Sequence, residues 1–302
     1  MNTATTTGPS RGSGSSAEPG PADGARPVPG RDPADPRVGE WLAFPTCDLP
    51  TRDKLPVIQE LMRAEGDGLA LDVGSGTGYT TSCVFGAQRT VCVDLDLGNL
   101  RYYRERVRAT PGARRPLCVV AEAGRLPFKA GSFRLALCSE VLEHLDDDRA
   151  AAAELARTLG PGGRLVVTVP YTGLGFTSFL ELLGIPTVHD FPGPERHVRR
   201  GYDETSLAAL LVPHGFRIVC HAYWFRFFTR LATDLVSLAH LAYQRLVHGR
   251  RAWTWADAAA SVGGPAFRLY RAVFPLLSAV SRLDRMLQRW RGFGLAAVAV
   301  KR

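Results

Sequence analysis

Seven residues near the first quarter of the chain carry the clearest chemical signal: Asp72-Val73-Gly74-Ser75-Gly76-Thr77-Gly78. Glycines at a strand-to-helix turn let the backbone approach a ligand closely. The helix that follows offers free N–H groups at its start. By itself the pattern is a weak signal, since a tight turn that holds no ligand is the other reading, though the strand before it favours a ligand loop. A second signal is Asp94, at the end of the next apolar run Thr90–Asp94. An acid placed there accepts the two hydroxyls of a ribose, as a nicotinamide dinucleotide or an adenosyl group would require.

A third set of residues separates these two cofactors. It comprises Ala121-Glu122-Ala123-Gly124-Arg125-Leu126-Pro127-Phe128, then Gly131-Ser132-Phe133, then Cys138-Ser139-Glu140-Val141-Leu142-Glu143-His144, then Gly160-Pro161-Gly162-Gly163-Arg164-Leu165. With the glycine loop, this set resembles the small-molecule branch of the class I S-adenosylmethionine-dependent methyltransferases, over about Asp72 to Val169. The resemblance implies that Asp72, Gly74, Ser75, Gly76 and Gly78 hold the methionine end of S-adenosylmethionine. Asp94 would take the ribose and Leu95 would flank the adenine. Glu122 would accept from the adenine amino group and Ala123 would donate its backbone N–H. Ser139 and Glu140 would lie next to the methyl group. Acids and backbone donors suit a cofactor with an ammonium, a carboxylate, a diol and an amino-purine. Two positions depart from the pattern. Arg134 stands where an acid is usual, and Glu122 is one methylene longer than the usual Asp. The fourth strand lacks the Asn/Asp-Pro-Pro-aromatic run of exocyclic-amine DNA methyltransferases, which argues against base amino methylation.

On the acceptor side, His197 to Tyr202 is similar to the segment before strand six in related small-molecule enzymes. His197 is the candidate general base, since an imidazole titrates near neutral pH. The other reading has it bonding backbone and fixing its loop. His144 and the pair His189-Asp190 are further candidates. Arg196, Arg199 and Arg200 form either an anion clamp or a solvated basic loop. Tyr171, Trp41, Trp224, Phe225, Phe227 and Phe228 could contact an apolar acceptor, although core packing is the commoner fate of such residues.

These residues need a scaffold, and the pattern supplies one. Apolar runs at 68–73, 90–94, 117–121, 133–139, 164–169, 216–220 and 294–300 alternate with helical stretches at 55–63, 97–108, 148–159 and 204–212. Continuous apolar strands alternating with helices indicate a parallel sheet covered on both faces. The expected fold is α/β, a Rossmann-like seven-stranded methyltransferase sheet with helices on both faces and a helical insertion before the last strand. Gly160-Pro161-Gly162-Gly163 reads as a helix stop.

The organisation follows. Thirteen of the first 37 residues are Gly or Pro, so 1–37 is expected to be a disordered tail. Residues 38–228 form the methyltransferase core, 229–292 an amphipathic insertion and 293–302 the final strand. The net charge of +8 is uneven: residues 1–195 carry 20 basic and 24 acidic groups, and 196–302 carry 17 and 5. In the insertion, Leu231, Leu235, Leu238, Ala239, Ala242 and Leu246 share one face. A second helix does the same with Leu269, Val273, Leu276, Val280, Leu283, Leu287 and Trp290, with Arg271, Ser278, Arg282, Arg285 and Arg289 opposite. One reading is a hairpin packed on the core with its Arg in water. The other is a peripheral contact with an anionic membrane through 265–291.

None of the six cysteines lies at C-x-x-C or zinc-ligand spacing, so no metal is expected from them and a reduced cytoplasm is the natural compartment. The first residues are small and polar, without a signal-peptide pattern. Only three of the 37 basic residues are Lys, a bias typical of GC-rich bacterial genomes. The expected function is transfer of a methyl group from S-adenosylmethionine to a small-molecule acceptor, with O-methylation favoured. An RNA methyltransferase and a non-catalytic cofactor-binding scaffold are the alternatives. Nucleic acid is disfavoured, because no recognised RNA module or stacking motif is present.

Overall fold

A computed structural model describes residues 48–63, 68–86, 88–109, 115–173, 180, 183, 197–248 and 264–302. The expected tail, Trp41, Cys47, His189, Asp190 and Arg196 lie outside these residues. In chain order the elements are α1 (Leu49–Leu61), β1 (Ala70–Val73), α2 (Tyr79–Phe85), β2 (Thr90–Asp94), α3 (Leu97–Ala109), β3 (Leu117–Val120) and β4 (Phe133–Ser139). Then follow α4 (Asp148–Thr158), β5 (Leu159–Pro170), α5 (Glu204–Leu211), β6 (Phe216–Trp224), α6 (Phe227–His248), α7 (Pro265–Ser281) and β7 (Gly294–Lys301).

The strands form one seven-stranded sheet in the order β3-β2-β1-β4-β5-β7-β6. Neighbours from β3 to β5 are parallel, whereas β7 runs antiparallel between β5 and β6. The sheet is therefore mixed at one edge and parallel elsewhere. Strand order reverses between β1 and β4, and a crevice opens at such a point beyond the carboxyl ends of the strands.

Side chains alternate along β4 and build both layers of the core. Leu135 and Leu137 pack with Ile58 and Met62 from the α1 side. Ala136 and Cys138 face the other way, among Ala151, Ala152 and Leu155 of α4 and Leu207 of α5. Short polar side chains start the helices. Asp48 accepts from Thr51 N at 2.8 Å, and Asp147 accepts from Ala150 N at 2.9 Å. Asp203 and Ser206 form a reciprocal cap on α5. Each cap supplies a partner for backbone donors that the first helical turn leaves open.

Helix α4 ends at Thr158, just before the Gly160–Gly163 run, as expected; the run itself is not a loop. It belongs to β5, which starts at Leu159, and a register irregularity between Phe133 and Leu135 absorbs it. Glycine and proline are tolerated there because a bulge relaxes the ladder.

Candidate cofactor and acceptor site

Parallel register sets the site. Val73 pairs with Val93 on one side and Cys138 on the other, and Asp94 pairs with Val120. Gly74, Asp94, Ala121 and Ser139 therefore emerge along one edge of the sheet. All three loop glycines have left-handed backbones: Gly74 at φ 72°, Gly76 at 53° and Gly78 at 71°. A Cβ on Gly78 would sit 2.1 Å from the Tyr103 ring, so that position admits glycine alone. A Cβ on Gly76 would meet nothing within 4 Å, which leaves open space beside the loop.

The two loop acids have separate surroundings. Asp72 is 2% exposed and accepts from Thr81 Oγ1 of α2 at 2.5 Å. Burial raises its pKa to about 7, and neighbouring Asp94 adds to the rise. Asp72 thus ties β1 to α2 under the loop. Asp94 is half-buried. Its Oδ2 accepts from Gly76 N at 2.7 Å, and its Oδ1 accepts from Asp96 N at 2.9 Å. A carboxylate has about four lone-pair positions, so capacity for a diol is left. Leu95 is 68% exposed beside it, an apolar surface at the rim of the crevice.

Glu122 is exposed and Ala123 half-buried, on the loop after β3. That loop is pinned to α4 from beneath. Leu126 N donates to Glu154 Oε2 at 2.7 Å, while the Arg157 guanidinium donates to Phe128 O at 2.6 Å and Leu126 O at 2.9 Å. At the end of β4, Ser139 Oγ and Thr168 Oγ1 lie 2.8 Å apart, and Thr168 Oγ1 donates to Glu140 Oε1 at 2.8 Å. Glu140 has φ 55°, a left-handed conformation that a non-glycine residue adopts at a cost. Lys54 of α1 brings its Nζ to 3.9 Å from Glu140 Oε1.

The next turn, Leu142–His144, begins the acceptor side. Val198 N and Arg199 N donate to Glu143 O at 2.9 and 3.2 Å, which docks the segment carrying His197. The His144 and His197 rings stand 4.5 Å apart, edge to face. One ligand atom from each of Glu143, His144 and His197 lies within 4.8 Å of the others. Glu143 is 1% exposed and His197 is open to solvent. The structure therefore brings the expected His197 to His144 and to a buried carboxylate.

Other expected contacts resolve differently. Arg199 is no open anion clamp. Its Nη1 lies 2.7 Å from Asp148 Oδ2, and it donates to Leu142 O at 2.9 Å and the Tyr202 hydroxyl at 2.8 Å. It holds the segment on α4. Arg200 is exposed. Tyr171, Trp224 and Phe225 are buried and serve packing, and Phe227 and Phe228 are half-buried. Lys54, Glu143, Glu154, Arg157 and Thr168 were not singled out from sequence. Glu143 sits inside a run that was, whereas Lys54 lies on a distant helix with no local signal.

The open space at Gly76, the acid on β2, the apolar rim at Leu95 and the second acid at Glu122 fit an adenosyl cofactor with an amino-acid tail. Residues 71–167 match the methyltransferase domain family. The chain is 31% identical over 153 residues to a malonyl-[acyl-carrier protein] O-methyltransferase of Halorhodospira halophila, covering 48% of this chain and 47% of that one. It is 30% identical over 199 residues to the O-methyltransferase rstn1 of Aspergillus nomiae, covering 60% of this chain and 80% of that one. It thus spans about half the length of the first relative and most of the second. The fold is shared with phosphoethanolamine N-methyltransferase 2 of Haemonchus contortus, solved with S-adenosyl-L-methionine, at TM-score 0.55 and 18% identity over 88% of this chain and 57% of that one. The chain belongs to the class I S-adenosylmethionine-dependent methyltransferases. Within that class it falls in the methyltransferase-domain family matched by residues 71–167.

Proposed function

We propose that the chain methylates a hydroxyl of a small-molecule acceptor, with S-adenosylmethionine as donor and His197 as general base. The observation that carries this reading is the Glu143–His144–His197 cluster, one turn beyond the Glu140 end of β4. The cofactor supplies an electrophilic methyl group with a built-in leaving group, so the protein's task is positioning. The glycine loop would hold the amino-acid tail, Asp94 the ribose, and Glu122 with Ala123 the adenine. Ser139 and Glu140 would border the reacting centre. His197, open to solvent, takes the proton of the acceptor hydroxyl, and buried Glu143 favours the imidazolium that forms. The relatives named as O-methyltransferases support transfer to an oxygen atom.

The test is transfer of labelled methyl from the cofactor to metabolite fractions. His197→Ala should lower turnover by about 10²–10⁴ with cofactor affinity unchanged. Equal turnover would remove His197 from the reaction. Label entering only RNA supports the RNA alternative, and binding without transfer to any acceptor supports the scaffold. A second reading rests on the same cluster: one carboxylate and two imidazoles are a donor set for a divalent cation. Loss of turnover on chelation, restored by added metal, would favour it.

Peripheral contact with an anionic membrane through 265–291 is a separate proposal, supported by the outward faces of α6 and α7. No described helix is long and apolar enough to cross a membrane.

A further inference from the structure

A surface helix in water buries its apolar stripe and exposes its polar one. On the insertion much of the apolar stripe is exposed along with the arginines, and small polar side chains take part of the buried side. On α6, Leu231, Leu235, Leu238 and Leu246 are exposed, Leu246 at 86%. The inward residues are Thr229, Ala232, Thr233, Asp234 and Ser237. On α7, Leu269 and Leu276 are each 67% exposed, while Phe274, Ser278 and Ser281 are buried. Beyond it Leu283, Met286 and Trp290 are exposed as well. The helices do pack on α1, through Ala232 and Phe274, with their arginines exposed, but most leucines of the apolar stripes face out.

The inward side is polar and partly satisfied within the helix, although the Thr229 hydroxyl is buried without a partner among the described residues. Thr233 and Ser237 hydroxyls donate to carbonyls one turn back, at 2.8 and 2.9 Å. Asp284 caps α6 by accepting from Phe228 N at 2.7 Å and from Arg226 N and Thr229 N at 3.1 Å. Small side chains let the helices approach closely, and Leu49 of α1 closes the contact against Ala232 and Phe274. The outward stripes of both helices lie opposite these contacts and point away from the core.

Charge on this surface has one sign. Both described acids of the insertion, Asp234 and Asp284, are buried. Asp234 pairs with buried Arg230 at 3.2 Å. The charged groups that are exposed on α6, α7 and the following turn are Arg245, Arg268, Arg271, Arg282, Arg285 and Arg289. Exposed large apolar side chains on helices whose exposed charges, among the described residues, are all arginine complement an anionic, apolar-centred layer.

The surface also lies at the reactive end of the fold. Helix α6 leaves β6 at its carboxyl end, where Trp224 pairs with Gly294 and Gly294 pairs with Pro170 of β5. Helix α1 touches both regions: Asp53 accepts from Phe225 N at 2.5 Å, and adjacent Lys54 approaches Glu140.

We infer that the outer face of α6 and α7 docks on an anionic phospholipid surface, and that the methyl acceptor is an amphiphile held in that surface. The second clause rests on the methyltransferase reading and the first does not. The test is flotation of the full chain with phosphatidylcholine vesicles, with and without phosphatidylglycerol. The chain should co-float with the anionic vesicles at low salt and be released by high salt. Leu269→Asp with Leu276→Asp should lower the bound fraction more than about ten-fold, because two leucines leave the apolar layer. Arg282→Gln with Arg285→Gln should weaken binding and flatten its salt dependence. Unchanged cofactor affinity in each variant shows that the fold is retained. Failure to co-float at low salt, or binding unaffected by the Leu→Asp pair, overturns the docking. A concentration-dependent dimer abolished by that pair, without vesicle binding, assigns the face to a second copy of the chain. For the acceptor, methyl label should enter the organic phase of a total lipid extract. Label confined to water-soluble products overturns the second clause and leaves the first standing.

Discussion

Replacing Asp94 by alanine removes two jobs at once, and their sizes differ. In the structure the carboxylate accepts from Gly76 N at 2.7 Å and Asp96 N at 2.9 Å. These bonds set the loop against the end of β2. Hydrogen bonds to a charged group contribute about 1.5–3 kcal/mol each. The site is half-buried and water can replace part of this, so the expected loss of stability is about 1–3 kcal/mol. The larger effect falls on the ligand. Two ribose hydroxyls lose a charged acceptor, which at about 1.5–3 kcal/mol each is a loss of about 3–6 kcal/mol. Cofactor affinity should therefore fall by about 10²–10⁴, at 1.4 kcal/mol per ten-fold. Asp94→Asn should fall between, because its amide keeps one acceptor and turns a donor toward a donor. Titration calorimetry with S-adenosylmethionine reads the affinity, and thermal denaturation of the same samples reads the fold. A folded Asp94→Ala protein that binds within about three-fold of wild type would refute the placement of the ribose on β2.

Three further outcomes follow from the geometry. Gly78→Ala must hold a left-handed backbone at φ 71° and press a methyl into the Tyr103 ring; a loss of about 2–4 kcal/mol in denaturant unfolding is expected, and a neutral result would contradict the loop geometry. Asp72 has a folded pKa near 7 against an ordinary 3.8, so its contribution to stability is full below pH 4 and is lost as pH rises through 7. Asp72→Asn should remove that part of the slope in a melting-temperature series across pH 4–8, while an unchanged slope would place the titration elsewhere. Asp284→Ala leaves three backbone donors at the start of α6 without their acceptor, and about 3 kcal/mol of stability should go with it, read by chemical denaturation.

The parts legible in the sequence were those in which a short stretch determines its own surroundings. The apolar runs at 90–94 and 133–139 became β2 and β4 with those bounds, because strands buried on both faces need mostly apolar residues, exposed Arg134 being the exception in β4. The glycine loop was legible because left-handed backbone leaves few other choices of residue. The Gly160–Gly163 run marked the end of α4 correctly but hid the early start of β5, since glycine and proline sit in a bulged strand as readily as after a helix. Periodicity found both faces of α6 and α7 but not which one turns inward. That depended on hydroxyls closing onto their own helix, as at Thr233 and Ser237, which makes a polar face cheap to bury. Arg199 looked available because its partner Asp148 lies on another element. The approach of His197 to Glu143 and His144 likewise spans a long connection that no local pattern reports.

The central claim is that the crevice between β1 and β4 holds S-adenosylmethionine. A crystal structure of the chain with the demethylated cofactor S-adenosylhomocysteine tests it most directly. The ribose should lie on Asp94, the adenine between Leu95 and Glu122, and the sulfur should point toward Glu140 and His197. Cofactor bound anywhere else, or none at saturating concentration, would contradict the account.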